Sequence, residues 1–230
     1  MLITEVRNMR LAILFFFALM TPLLHAKTLI IGTLSNDPPF EMRADQQGHV
    51  FGFDIAMMTE ICKRMKVTCE FKLLPFTQIF TQVDTGAIDL GMAAINISPE
   101  RQARYLFSMP YLASAAQFVT SVNSGINQIE DLAGKKVGIL EGSLYRAGIL
   151  DKDKRLAKIV EYPGISEVFE ALASGDIDAL ITDKAVAVYW TSNNSSLFQL
   201  IGNDISVGMG YGIMANRNNT RLIAQINKIL

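Results

Sequence analysis

The chain has 230 residues, half of them hydrophobic, and a formal net charge of −1. That is enough sequence to bury a core divided into two lobes, and the near-zero charge gives no electrostatic footprint for nucleic acid. The only histidines are His25 and His49, which nearly excludes histidine-based catalytic triads and histidine-rich metal sites.

The N-terminal segment reads as a targeting signal. Arg7 and Arg10 precede an apolar run of 14 residues, Leu11 to Leu24, that includes Phe15 to Phe17. A membrane span needs about 20 apolar residues, so the run fits a secretory signal better than a span. Leu24-His25-Ala26 supplies a small-residue cleavage site, and residues 1–26 are expected to be removed after Ala26 on export to the periplasm. An uncleaved anchor is the alternative. No cysteine follows the run directly, so no lipid anchor is expected.

Leu29-Ile30-Ile31-Gly32-Thr33 reads as a short buried strand. Asp37-Pro38-Pro39-Phe40 breaks regular structure, because proline lacks a donor and restricts the residue before it. Gly48 and Gly52 flank a turn. From Phe53 the spacing is helical, with Met57, Met58, Ile61, Cys62 and Met65 on one face; this stripe reads as core packing, not as a metal site. Cys62 and Cys69 are the only cysteines. In an oxidising compartment they are expected to pair, and two buried free thiols are the alternative. Thr68 to Leu74 reads as a strand. Phe76 to Thr85 reads as a helix with Ile79, Phe80 and Val83 inward and Gly86 as its stop.

Leu90 to Ile95 reads as a buried strand that runs out into Asn96-Ile97-Ser98-Pro99-Glu100-Arg101. Backbone N–H groups and a guanidinium converging at a strand end suit a carboxylate. Arg101 is either that guanidinium or a solvated charge at a helix start.

An internal echo follows. Gly86-Ala87-Ile88-Asp89-Leu90 and Gly175-Asp176-Ile177-Asp178-Ala179-Leu180 each follow a helix and lead into a strand. Two such units, about ninety residues apart, suggest two similar α/β lobes with largely parallel sheets. The second lobe opens near Ile129-Glu130-Asp131-Leu132-Ala133-Gly134, followed by a strand, Lys135 to Ile139, into Glu141-Gly142-Ser143. Gly208, Gly210 and Gly212 read either as a hinge crossing back between lobes or as an ordinary glycine-rich turn. No G-x-x-x-x-G-K-[ST] phosphate loop is present.

Several motifs in this order resemble the amino-acid-binding periplasmic solute-binding proteins, the receptors of ABC importers. They are Gly32-Thr33, Pro38-Pro39-Phe40-Glu41, Gly52-Phe53-Asp54-Ile55, Ile97-Ser98-Pro99-Glu100-Arg101, Phe107-Ser108-Met109-Pro110-Tyr111, Asp131-Leu132-Ala133-Gly134-Lys135, Val137-Gly138-Ile139 and Asp178-Ala179-Leu180. Ile61-Cys62-Lys63-Arg64 with Cys69 is similar to the histidine- and lysine/arginine/ornithine-binding branch, in which the corresponding cysteines form a disulfide.

The resemblance implies a two-lobed periplasmic-binding-protein fold, each lobe a largely parallel sheet flanked by helices, joined by two hinge crossings. The first lobe would span 27–114, the second 115–206, and 207–230 would return to the first. It also implies a ligand set in the cleft. Arg101 would clamp the α-carboxylate with the backbone N–H groups of Asn96 and Leu144. Asp183 and the Ala94 carbonyl would hold the α-ammonium; the alternative for Asp183 is a helix N-cap before Lys184. Asp37, Asp54, Phe76, Leu140 and Tyr145 would line the side-chain pocket. For Asp54 the alternative is capping the helix from Ile55, and for Phe76 plain core packing.

Against the family pattern, Asp37 replaces an aromatic residue, Ala93 and Ala94 replace serine or glycine, and Leu144 replaces a threonine or serine. The added acids Asp37 and Asp54 favour a cationic ligand such as arginine. The expected partners are that ligand and an inner-membrane permease, with a monomeric protein, no nucleic acid, no metal and no cofactor. Two other classes use the same fold: a ligand-sensing domain, and a cyclohexadienyl or arogenate dehydratase in which Glu41 or Glu141 would be the acid.

Overall fold

A computed structural model describes residues 28–148 and 158–230. The expected signal segment and its cleavage site lie outside the described residues. The first lobe runs β1 (Thr28–Thr33), a small three-stranded sheet β2 (Asn36–Asp37), β3 (Glu41–Arg43) and β4 (Val50–Phe51), then α1 (Phe53–Met65), β5 (Thr68–Leu73), α2 (Phe76–Thr85), β6 (Leu90–Gly91), α3 (Pro99–Arg104) and β7 (Tyr105–Phe107). The second runs β8 (Ala115–Ser121), a 3₁₀ turn (Ile129–Leu132), β9 (Lys136–Leu140), α4 (Tyr145–Gly148), β10 (Lys158–Tyr162), α5 (Ile165–Ser174), β11 (Ala179–Asp183), α6 (Lys184–Asn193) and β12 (Phe198–Ser206). The chain then returns to the first lobe through β13 (Met214–Asn216) and α7 (Thr220–Asn227).

The two main sheets share one plan. Their strand orders are β5-β1-β6-β13-β7 and β10-β9-β11-β8-β12. In each, three neighbouring strands are parallel, and one strand runs against its neighbours. That reversed strand, β13 or β8, is the one the chain enters from the other lobe.

The sequence echo has a physical cause. Gly86 and Gly175 end α2 and α5 in the left-handed region, at φ 73° and 81°. The isoleucine two residues later packs on a glycine of a neighbouring parallel strand, β1 or β9: a Cβ on Gly32 would meet Ile88 Cδ1 at 2.5 Å, and one on Gly138 would meet Ile177 Cδ1 at 2.4 Å. The aspartate after it ties down the neighbouring strand. Asp89 accepts from Ile30 N–H at 2.9 Å, and Asp178 accepts from Lys136 N–H at 2.8 Å.

α2 buries Phe76, Ile79 and Val83 against the first sheet, each such side chain contributing about 1.5–3 kcal/mol of burial. Cys62 of α1 and Cys69 of β5 are joined by a disulfide with a Cα–Cα distance of 6.0 Å. One expectation fails: the strand predicted over Leu90 to Ile95 pairs only at Leu90–Gly91. Met92 N–H still reaches the Gly32 carbonyl, but Ala94 turns into the left-handed region at φ 42°. Apolar residues continue past Gly91 because that loop is buried, not because the ladder continues.

Candidate functional site

The lobes meet at two chain crossings, residues 109–114 and 207–212. Tyr211 N–H donates to Leu112 O and Tyr111 N–H to Tyr211 O, both at 2.9 Å. Gly208 lies at φ 67°, and a Cβ there would meet the Ile97 carbonyl at 2.5 Å. The glycine run is therefore the return crossing, kept free of side chains where it passes close to the first lobe.

Arg101 is delivered by a well-signalled helix start. Ser98 is the N-cap of α3 and accepts from Arg101 N–H at 3.2 Å, with Pro99 as the first helical residue. The side chain is only 7% exposed, so it is not a solvated charge. Its guanidinium donates to the Asn96 carbonyl at 2.8 Å and, across the cleft, to the Gly142 carbonyl at 2.9 Å. It lies 4.9 Å from the ring centre of Phe80 and 5.5 Å from that of Phe76. Among the described residues no carboxylate forms a salt bridge with it. Burial lowers its pKa to about 10, against the pull of Tyr145 and Asp183, so it stays charged at neutral pH.

Asn96 pairs with Tyr211 as an isolated antiparallel bridge, whose hydrogen bonds run through Ile97 N–H to Gly210 O and Gly212 N–H to Ile95 O. This leaves the Asn96 N–H on the side away from the crossing strand. Asn96 Oδ1 is buried without a partner.

The opposite charge lies on the second lobe. Asp183 ends β11 at the N-cap position of α6, but its side chain caps nothing. It accepts from the Tyr211 hydroxyl at 2.6 Å. Burial raises its pKa to about 6, while the hydrogen bond from Tyr211, with Tyr145, Asn96 and the Arg101 charge, pulls the other way.

Arg101 and Asp183 line one enclosed cavity together with Asp37, Phe76, Ala93, Ala94, Asn96, Leu140, Ser143, Tyr145, Ile165 and Thr182. Its free space is about 20 Å³, room for about one water molecule, so an amino acid can enter only when the lobes part. Asp37 Oδ1, Ser143 Oγ and Thr182 Oγ1 are buried there without partners. Asp37 and Glu41 are cross-strand partners in β2 and β3 and so share one face. Both are pushed well above the usual carboxylate range by burial first; Asp183 and Asp54 then raise Asp37, and Asp54, Asp37 and Asp183 raise Glu41 against a backbone hydrogen bond from Leu34.

Eight of the ten residues expected at the site thus meet at this wall: Asp37, Phe76, Ala94, Asn96, Arg101, Leu140, Tyr145 and Asp183. Two do not. Leu144 packs on the second-lobe core, beside the cavity residue Ser143. Asp54 is fully buried behind the wall, where Oδ2 accepts from Ala94 N–H and the Tyr111 hydroxyl, each at 2.9 Å. It also caps no helix, since α1 begins at Phe53 with Gly52 as its N-cap. Ser143, Thr182 and the tyrosines Tyr111 and Tyr211 were not expected at or around the site. Ser143 and Thr182 adjoin expected residues, but nothing in their local spacing separates them from ordinary polar positions.

Residues 29–230 match the family described as bacterial extracellular solute-binding proteins, family 3. The chain belongs to this family. Its curated relatives include an arginine-binding periplasmic protein of Mannheimia haemolytica, 28% identical, covering 84% of this chain and 80% of the relative. A histidine-binding periplasmic protein of Escherichia coli is 29% identical, covering 86% and 79%. Among solved structures, an arginine 3rd transport system periplasmic binding protein from Legionella pneumophila superposes with a TM-score of 0.84 at 36% identity, covering 89% of this chain and 92% of that one. An ancestral arginine-binding protein bound to arginine gives 0.80 at 34% identity, covering 89% and 91%. This family 3 chain carries Arg101 and Asp37 on the first-lobe wall of the interlobe cleft and Asp183 on the second-lobe wall, in the two-lobed fold of those structures.

Proposed function

We propose that this protein is the periplasmic binding component of an amino-acid ABC importer and that arginine is its favoured ligand. The observation that carries this reading is a buried cation without a carboxylate partner, Arg101, enclosed with Asp183 and Asp37 in one cavity. A zwitterion with a distal cation supplies the three missing charges, and each buried charge then gains a partner.

In this reading Arg101 takes the α-carboxylate in a bidentate pair, with the N–H groups of Asn96 and Leu144; neither N–H donates elsewhere among the described residues. Asp183 and the Ala94 carbonyl take the α-ammonium. Phe76, Leu140 and Tyr145 flank the aliphatic stem. Asp37, backed by Glu41, receives the guanidinium. Because Arg101 belongs to one lobe and Asp183 to the other, the ligand bridges the cleft and stabilises closure. The closed form is then read by the permease, and no bond of the ligand is made or broken. The names of the relatives support arginine, the periplasm and a transporter partner; the N-terminal signal, expected to be cleaved after Ala26, supports export.

Titration calorimetry with arginine, lysine, histidine and glutamine tests the reading. Arginine is expected to bind most tightly. Asp37→Asn is expected to weaken arginine about 10- to 100-fold, the worth of a charge-assisted contact, and to change glutamine much less. Equal losses for both ligands would remove Asp37 from the guanidinium end, and no binding of any of the four by folded protein would overturn the importer reading.

A further inference from the structure

The strained backbone at Ala94 and the buried carboxylate behind it form one unit. Ala94 is one of two non-glycine residues at positive φ among the described residues, at 42°. That region costs an alanine energy because its Cβ crowds the backbone. The strain sits on the cavity wall. The chain is pinned on both sides of it, by Met92 N–H on Gly32 O at 2.9 Å and by Gly212 N–H on Ile95 O at 3.0 Å. Between these points the Ala94 N–H donates to Asp54 Oδ2, and the Ala94 carbonyl accepts from no donor among the described residues.

Asp54 has one further partner, the Tyr111 hydroxyl from the crossing strand, on the same oxygen. It is fully buried and is not part of the cavity wall. Strain of this kind persists where surrounding contacts over-determine it. We infer that Asp54 is a positioning residue: it holds the left-handed Ala94 peptide so that the Ala94 carbonyl is presented to the ligand ammonium, and it does not meet the ligand's distal cation. This rests on the amino-acid-binding reading given above.

The groups facing Asp54 agree with a role that needs no charge. Burial raises its pKa to about 7, Ala94 N–H and Tyr111 oppose that, and the Asp183 charge adds to it; Glu41 and Asp37 are the other acids in the cluster. A proton on the unpartnered Oδ1 leaves both hydrogen bonds to Oδ2 in place.

The experiment is a double-mutant cycle read by arginine calorimetry on the unsubstituted protein, Asp54→Ala, Ala94→Gly and the double variant, with Asp54→Asn beside them. Asp54→Ala is expected to weaken arginine by about tenfold or more. In the Ala94→Gly background the same change is expected to cost about threefold or less, because glycine adopts positive φ without strain. Asp54→Asn is expected to stay within about threefold of the parent, its amide oxygen replacing Oδ2. An Asp54→Asn loss as large as that of Asp54→Ala, unchanged in the Ala94→Gly background, would overturn the inference, since the ligand would then be feeling the charge itself. Where thermal denaturation shows Asp54→Ala to be unfolded, Asp54→Asn decides alone: retention supports positioning and loss refutes it. Failure of the unsubstituted protein to bind any amino acid would instead overturn the function proposed above.

Discussion

Replacing Arg101 by methionine separates binding from folding. In the ligand-free protein this guanidinium is 7% exposed and held by two carbonyl oxygens and two aromatic faces, with no salt bridge to a carboxylate among the described residues. Removing a buried charge that lacks a salt-bridge partner relieves its desolvation cost, which offsets the two hydrogen bonds to the Asn96 and Gly142 carbonyls lost with it. The ligand-free melting temperature of Arg101→Met should therefore be unchanged or higher. Binding should collapse, because the α-carboxylate would lose its only cation. Breaking a buried charge pair by removing one partner costs about 3–5 kcal/mol, or roughly two to three and a half decades in Kd. At free arginine a thousand times the parental Kd, binding stabilises the parent by about 4 kcal/mol. At about 2–4 °C per kcal/mol for a chain of this size, that is a shift of roughly 8–16 °C. At the same arginine concentration the variant retains at most about 1.2 kcal/mol, or roughly 2–5 °C. Differential scanning fluorimetry with and without arginine reads both effects on one sample. An arginine-induced shift in Arg101→Met equal to the parent's would refute the assignment of this side chain to the carboxylate.

The buried carboxyls set the pH dependence. Asp183 lies near 6 and Asp54 near 7 in the folded protein, with Asp37 and Glu41 also well above normal, chiefly through burial; in the unfolded chain such groups release their protons near pH 4. The folded state thus binds more protons between about pH 4 and 7, and ligand-free stability should fall as pH rises through that window. A cationic ligand favours the ionised carboxylates, so arginine affinity should rise with pH over the same range; melting curves and calorimetry at pH 5 and 8 check both slopes, and a ligand-free protein more stable at pH 8 would contradict them. Reducing the Cys62–Cys69 disulfide, which spans 7 residues, should cost about 2.5 kcal/mol in the loop-entropy model and leave arginine binding intact. A melt under reducing conditions with no loss of stability would show that the bridge does not constrain the unfolded chain.

Most of the fold was legible in local patterns. Helical spacing from Phe53 and Phe76, the glycine stops at Gly86 and Gly175, and the repeated Ile-Asp after each are short-range chemistry: a left-handed cap, a side chain packed on a glycine, a carboxylate on a neighbouring backbone N–H. The over-long strand at Leu90 to Ile95 shows where that signal misleads, since burial alone makes a loop as apolar as a strand.

The site was legible only in part. Arg101 and Asp183 stand on recognisable motifs, yet whether each is a solvated charge, a cap or a buried wall group depends on what lies across the cleft. Asp54 illustrates the limit. Its motif pointed to the ligand or to a helix cap; it caps no helix and lies behind the cavity wall, where Ala94, forty positions later, brings its N–H to the carboxylate.

By itself, then, the amino-acid order determined two α/β lobes, their glycine punctuation, two cysteines close enough to pair and an arginine at a capped helix start, all properties carried by neighbours within a few residues. Tertiary structure alone decided which charges face each other, which are left without partners and which act from behind the wall. Those outcomes depend on desolvation and on contacts between segments far apart in the chain, such as the Phe40 ring edge-on to Tyr211, and no local pattern encodes them.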